Sequence, residues 1–135
     1  MNLFVDTSAF IALTDKSDNQ HARSKAQLES LLPQDRFHTS NYVLDETITR
    51  LRFTLGASKA STFAKAILED PSFQIHYVDP AVEREALSIL RKFRDKPLSF
   101  TDCTTIALVN ALGLDAVFAF DEDFSKVGLR TLPAR

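Results

Sequence analysis

The sequence predicts an α/β fold, one domain over residues 1–135 with a parallel central β-sheet flanked by helices on both faces. Two observations point there. Short strand-like runs recur along the chain, and segments with helical apolar spacing fall between them, which is the signature of a parallel sheet. The runs Leu3-Phe4-Val5 and Ala116 to Phe120 are also continuously apolar rather than alternating, as in strands covered on both faces.

Taken in order, Leu3-Phe4-Val5 is a buried strand ended by Asp6. Residues about 8–14 and 20–32 read as helices, and Phe37-His38-Thr39 as a short strand. Leu44, Ile48, Leu51 and Leu55 follow at spacings of 4, 3 and 4, the stripe of an amphipathic helix. Gly56 separates it from a further helix over about 58–69. Ile75 to Val78 is strand-like, and Asp79-Pro80 is an N-cap followed by proline at the first helical position. Val82, Ala86, Ile89 or Leu90, and Phe93 continue that helix. Ser99 opens another that runs to Leu112 and stops at Gly113; Ala116 to Phe120 is a strand, and Leu129 to Leu132 a last edge strand. No repeat, low-complexity tract or linker interrupts the pattern.

At 135 residues, 44% apolar and 25% charged, the chain has the composition of a globular domain with a real core, which excludes disorder. No apolar run reaches the ~18 residues of a membrane span. The N-terminus lacks the basic and long apolar regions of a signal peptide. The single cysteine, Cys103, excludes an internal disulfide framework and fits a reducing compartment, so a cytoplasmic location is expected. The net charge of −2 lacks the basic excess usual in nucleic-acid binders. A metal-dependent nuclease is compatible with it, because bound cations offset acidic charge.

Four carboxylates stand out. In an open α/β sheet, ligands bind outside the carboxyl ends of the strands. Asp6 and Asp121 both fall at such ends, and neither strand needs an acid there. Asp102 lies in the first turn of a helix. Glu46 is two residues from both Leu44 and Ile48, roughly 200° of rotation either way, so its own helix does not hold it in the core. If the four converge, their charges repel, and a hard divalent cation such as Mg²⁺ or Mn²⁺ resolves the conflict. Such an ion activates water, orients a phosphate and stabilises a leaving oxygen, which is what phosphodiester hydrolysis requires.

Each acid also has a plain structural reading. Asp6 suits a helix N-cap. Ser99 to Asp102 fits a capping box. Glu46 has Arg50 at i+4 as an ion-pair partner, and Asp121 suits a turn. His21, His38 and His76 show no metal-ligand spacing. Cys103 reads as a small buried residue. Arg91, Lys92, Arg94 and Lys96 read as a solvated helix end, whereas Arg50 and Arg52, near Glu46, are better placed for phosphate.

The ordered set Val5-Asp6-Thr7-Ser8, Val43-Leu44-Asp45-Glu46, Leu98-Ser99-Phe100-Thr101-Asp102 and Phe120-Asp121-Glu122-Asp123-Phe124 resembles the PIN-domain family. Within it, the chain resembles the small single-domain toxins of VapC type, over essentially its whole length. The resemblance implies a Mg²⁺- or Mn²⁺-dependent ribonuclease with Asp6, Asp102 and Asp121 as metal ligands and Glu46 binding metal directly or through water. It further implies that Thr7 or Ser8 orients the first site, that Asp123 is an auxiliary acid, that a cognate antitoxin blocks the cleft, and that the toxin forms a homodimer. Asp45 and Glu46 face different ways on their helix, and the family motif selects Glu46.

Three rivals stay open at this point. One is a PIN-like RNA-processing protein, and another a non-catalytic binding module of the same fold. The third is an aspartate-based phosphotransfer enzyme, which would want a second aspartate where Ser8 stands.

Overall fold

The computed structural model describes residues 1–134. In chain order the elements are β1 (Asn2–Val5), α1 (Thr7–Thr14), α2 (His21–Glu29), β2 (Arg36–Ser40), α3 (Asn41–Leu55) and α4 (Ala57–Glu69). They are followed by β3 (Phe73–His76), α5 (Pro80–Lys92), α6 (Phe100–Leu112), β4 (Ala116–Phe118), α7 (Asp123–Lys126) and β5 (Thr131–Leu132). The strands form one sheet in the order β3-β2-β1-β4-β5, with every pairing parallel.

The central strand accounts for the continuous apolar run. Leu3, Phe4 and Val5 are all buried, as are Ala116, Val117 and Phe118 of β4 beside it. Successive residues point to opposite faces, so both faces of the sheet are covered. Full burial of a side chain such as Phe4 contributes about 1.5–3 kcal/mol relative to leaving it exposed. An aromatic group ties the helices down: the Phe10 ring of α1 meets Phe63 of α4 edge-on at 5.2 Å and Phe73 of β3 at 5.7 Å. Phe73 in turn stacks on Phe37 of β2 at 5.1 Å.

Several boundaries move from their expected places. β3 lies two residues earlier than Ile75 to Val78, because its ladder with β2 closes at Ser40 opposite His76. The Val78 N–H donates instead to Asn41 Oδ1 at 2.8 Å. β4 ends at Phe118 rather than Phe120, since the Phe120 N–H leaves the sheet to donate to Ser8 Oγ at 3.0 Å. α2 stops at Glu29, short of 32, and the next turn is held by Asp35, whose Oδ2 accepts from Leu32 N at 2.7 Å. The short helix α7 has no counterpart among the expected elements. At the other helix ends, Asp79 caps α5 through Val82 N at 2.9 Å, and Gly113 adopts the left-handed φ of 63° that ends α6.

Candidate acidic active site

The register of β1 against β4 pairs Val5 with Phe118, so both strands finish at the same level. The first residue beyond β1, Asp6, is tied across that seam by its N–H, which donates to Phe118 O at 3.0 Å. Asp6 is 4% exposed and caps α1. Its Oδ2 accepts from both the N–H (3.1 Å) and the hydroxyl (2.7 Å) of Ser8. Burial pushes its carboxyl up to about 7, and the charges of Asp102 and Glu46 push the same way against the two Ser8 bonds.

Asp102 is held by a true capping box. Its N–H donates to Ser99 Oγ and its Oδ2 accepts from Ser99 N, both at 3.0 Å. Its carboxyl is also raised, by burial first and then by the charges of Asp121 and Glu46, while Ser99 opposes the rise. Asp121 accepts from Asp123 N at 2.9 Å. Burial raises it as well, and the neighbouring Asp123 charge adds to the rise while the backbone bond opposes it. The four acids thus lie within electrostatic reach of one another: Glu46 acts on Asp6 and Asp102, Asp102 on Asp6, and Asp121 on Asp102.

The structural readings of these residues are correct for three of the four, and they do not compete with a site. Asp6 and Asp102 each use Oδ2 for the cap, and no donor among the described residues meets their Oδ1. The cap fixes the carboxylate and leaves an oxygen available. The fourth reading fails: no ion pair joins Glu46 to Arg50 among the described residues. Glu46 is half-buried on α3, whereas Asp45 beside it is exposed.

Of the two hydroxyl residues after Asp6, only Ser8 touches it. Thr7 is buried and turned toward α3, its Oγ1 3.5 Å from Val43 O. Asp123 is half-buried and lies 3.7 Å from Lys126 Nζ. Arg50 lines a cavity of about 400 Å³ together with Ser8, Phe120 and Asp121. Arg52, two residues on and therefore on the far side of the helix, is exposed away from it.

Sequence reasoning missed Gln20 and Arg23. With Phe120 and Asp121 they line a second cavity of about 300 Å³. No local signal marks them, since the sheet order alone brings the start of α2 beside the end of β4.

The donor set suits a hard divalent cation, being made of carboxylate oxygens whose mutual repulsion such an ion would relieve. Among the described residues, no group of three or more His, Cys, Asp or Glu side chains stands close enough to hold a metal ion by itself. An open arrangement agrees with Mg²⁺ chemistry, in which the ion keeps several waters and takes one or two carboxylates directly. The histidines stand apart. His38 Nδ1 lies 2.9 Å from His76 Nε2 and His38 Nε2 lies 3.0 Å from Asn2 Oδ1, and none of the three acids with raised carboxyls is influenced by them. Cys103 is fully buried.

Comparison with known proteins agrees with this geometry. The chain is 34% identical over 126 residues to the 23S rRNA-specific endonuclease VapC20 of Mycobacterium tuberculosis, covering 93% of this chain and 94% of that one. The crystal structure of that protein, described as a sarcin-ricin loop cleaving toxin, superposes with a TM-score of 0.88 at 33% identity. It covers 94% of this chain and 95% of its own. A VapC ribonuclease of Archaeoglobus fulgidus is 28% identical over 128 residues, covering 93% of this chain and 80% of its own. The fold alone is shared with VapBC2 from Rickettsia felis, solved bound to a promoter DNA fragment, with a TM-score of 0.72, 13% identity and 97% coverage of both chains. The PIN domain model matches residues 3–129, nearly the whole fold, and the chain belongs to the PIN-domain family as a VapC-type member.

Proposed function

We propose that this chain is a Mg²⁺- or Mn²⁺-dependent endoribonuclease, the toxin of a type II toxin–antitoxin pair. In this reading Asp6, Asp102 and Asp121 hold the cation, and Glu46 does so directly or through water. The observation that carries it is the electrostatic coupling of the acids, in which Asp102 and Glu46 add to the burial that pushes the Asp6 carboxyl up to about 7. Burial and crowding oppose the ionised form of these carboxyls, and a bound cation would favour it.

A divalent cation held by Asp6, Asp102 and Asp121 would supply water activation, phosphate orientation and stabilisation of the leaving oxygen. The chain's own residues do the positioning. Ser8 fixes Asp6, Ser99 fixes Asp102, and the Asp123 N–H orients Asp121. Asp123 serves as the auxiliary acid, and Thr7, facing the Val43 carbonyl, keeps α1 in step with the helix that carries Glu46.

The identity to an enzyme named for 23S rRNA favours a structured ribosomal RNA as substrate. Several structural relatives are toxin–antitoxin complexes, which supports a cognate antitoxin covering the cleft. A homodimer, a cytoplasmic location and a single PIN-like domain over residues 1–135 complete the reading. The location is supported by the lone Cys103, and no helix of the described residues is long and apolar enough to cross a membrane.

The test is cleavage of a structured rRNA fragment in Mn²⁺ by purified, antitoxin-free protein, beside Asp6→Asn and an EDTA control. Cleavage lost in both controls supports the proposal. Cleavage that survives either one overturns it, and so does inactivity toward rRNA, tRNA and mRNA alike.

A further inference from the structure

The two cavities beside the acids are parts of one trough, for they share Gln20, Phe120 and Asp121. Arg50 lies on one rim and Arg23 on the other. Arg23 is held in an unusual way for a surface cation. Its guanidinium carbon sits 5.6 Å from the centre of the Phe120 ring, and its one hydrogen bond is a long one, NH1 donating to Gln20 Oε1 at 3.3 Å. No carboxylate pairs with it among the described residues. The guanidinium therefore lies within cation–π range of an aromatic ring that adjoins Asp121 in sequence, with no ion-pair partner among the described residues.

We infer that Arg23, laid on Phe120, is a stacking and phosphate-contacting residue that seats an unpaired nucleotide of the RNA beside Asp121. The inference rests on the ribonuclease reading and adds a specificity-determining residue to it. A guanidinium is planar and weakly hydrated, so Arg23, held beside Phe120, offers a flat cationic face to a nucleobase. Unstacked bases of loops and bulges bind in this way, whereas bases inside a duplex have no free face to offer. The charge serves a second purpose. An RNA backbone approaching four carboxylates is repelled, and the cations Arg23 and Arg50, one in each half of the trough, offset that repulsion. Each half of the trough is of the size that takes a small ligand or a single nucleotide unit.

The experiment measures binding in the cleavage-incapable Asp6→Asn protein, using fluorescence anisotropy with a fluorescein-labelled RNA hairpin bearing a purine-rich loop. A fully paired duplex of the same composition is the comparison. Adding Arg23→Ala weakens hairpin binding by about fivefold or more, the scale of one lost base stack. Arg23→Lys keeps the charge without the plane and recovers only part of the affinity. Arg84→Ala, an exposed change on α5 outside the trough, leaves binding unchanged. The inference is overturned if Arg23→Ala binds like its parent, if Arg23→Lys restores full affinity, or if the duplex shows the same dependence on Arg23. Failure of the wild-type protein to cleave in Mn²⁺, with the Arg23 effect on binding intact, removes the nuclease reading and leaves the RNA trough standing.

Discussion

The Ser8 hydroxyl joins Asp6 to the exit of β4: it donates to Asp6 Oδ2 at 2.7 Å and accepts the Phe120 N–H at 3.0 Å. One small side chain thus sets the spacing between the two strand ends that carry Asp6 and Asp121. Ser8→Ala should remove both bonds, raise the Asp6 carboxyl further and lower kcat about 10–100-fold, the usual cost of losing a partner that orients a ligand. Circular dichroism should show the fold retained. A Ser8→Ala enzyme with wild-type kcat would show that the bridge is only structural.

The metal-free protein should lose stability as pH rises. The Asp6 carboxyl is raised to about 7 by burial, so the folded state holds its proton more tightly than the unfolded chain does. Its contribution is therefore full below the unfolded value of 3.8 and disappears as pH climbs through about 7. The displacement corresponds to at most ~4 kcal/mol. Urea melts in EDTA from pH 4 to 8 should show the decline in the wild type and a flatter profile in Asp6→Asn. Saturating Mg²⁺ should recover the wild type at pH 8 by mass action. Equal slopes for the two proteins would rule out Asp6 as the source.

Capping and chemistry can be separated at α6. Ser99→Ala removes the hydroxyl cap but leaves the Asp102 carboxylate and its bond from Ser99 N. It should cost about 1 kcal/mol of stability while most activity survives. Asp102→Asn keeps an acceptor for the box and removes the charge, so it should be nearly as stable as the wild type and inactive. Thermal melts and cleavage rates on the two variants give a crossed result. Loss of activity in proportion to stability in both would reduce Asp102 to a cap.

How far the site was legible in the sequence follows from how local each signal is. Asp6 and Asp121 stand where an apolar strand breaks into charge, and strand ends are where α/β sheets bind ligands. Asp102 announces itself through Ser99, although a capping box looks the same whether or not its acid serves a cleft. Glu46 is marked only by lying off its own apolar stripe. The strand β3 was misplaced by two residues because Tyr77 and Val78 look strand-like, yet register with β2 ends the ladder at His76. The turn reading of Asp121 holds, since its side chain folds back onto Asp123 N, but helix α7 beyond it is a single helical turn that no periodicity can reveal. Arg23 left no trace at all. It becomes a neighbour of Asp121 only through the sheet order, which places chain segments about a hundred residues apart side by side.

Arg50 and Arg52 should behave differently although both are exposed arginines near Glu46. Arg50 lines the trough with Asp121, and Arg52 lies about 200° around the helix from it. Arg50→Ala should raise KM several-fold with little change in kcat, because a rim cation contributes uniform binding rather than transition-state stabilisation. It should also reduce the dependence of affinity on salt. Arg52→Ala should leave both constants and the salt slope unaltered. A KM effect from Arg52→Ala equal to that of Arg50→Ala would mean that the RNA crosses a different face of α3.

The histidine pair should set an acid limit to stability that is independent of the metal site. His38 is buried, and its ring nitrogens meet His76 Nε2 and Asn2 Oδ1, so charging both rings would break the bond between them and set two cations side by side. Burial lowers the pKa of both rings, and His76 lowers that of His38 further. Because the folded values lie below 6.5, the neutral pair stabilises the fold fully above that pH, and the contribution is lost as pH falls through the folded values. This slope has the opposite sign to that of Asp6, so the measurement belongs in the Asp6→Asn background. There, stability should fall as pH drops below 6.5, and adding His38→Gln should remove most of the fall while lowering stability at neutral pH. A profile below pH 6.5 that is unchanged by His38→Gln would assign the acid limit to other groups.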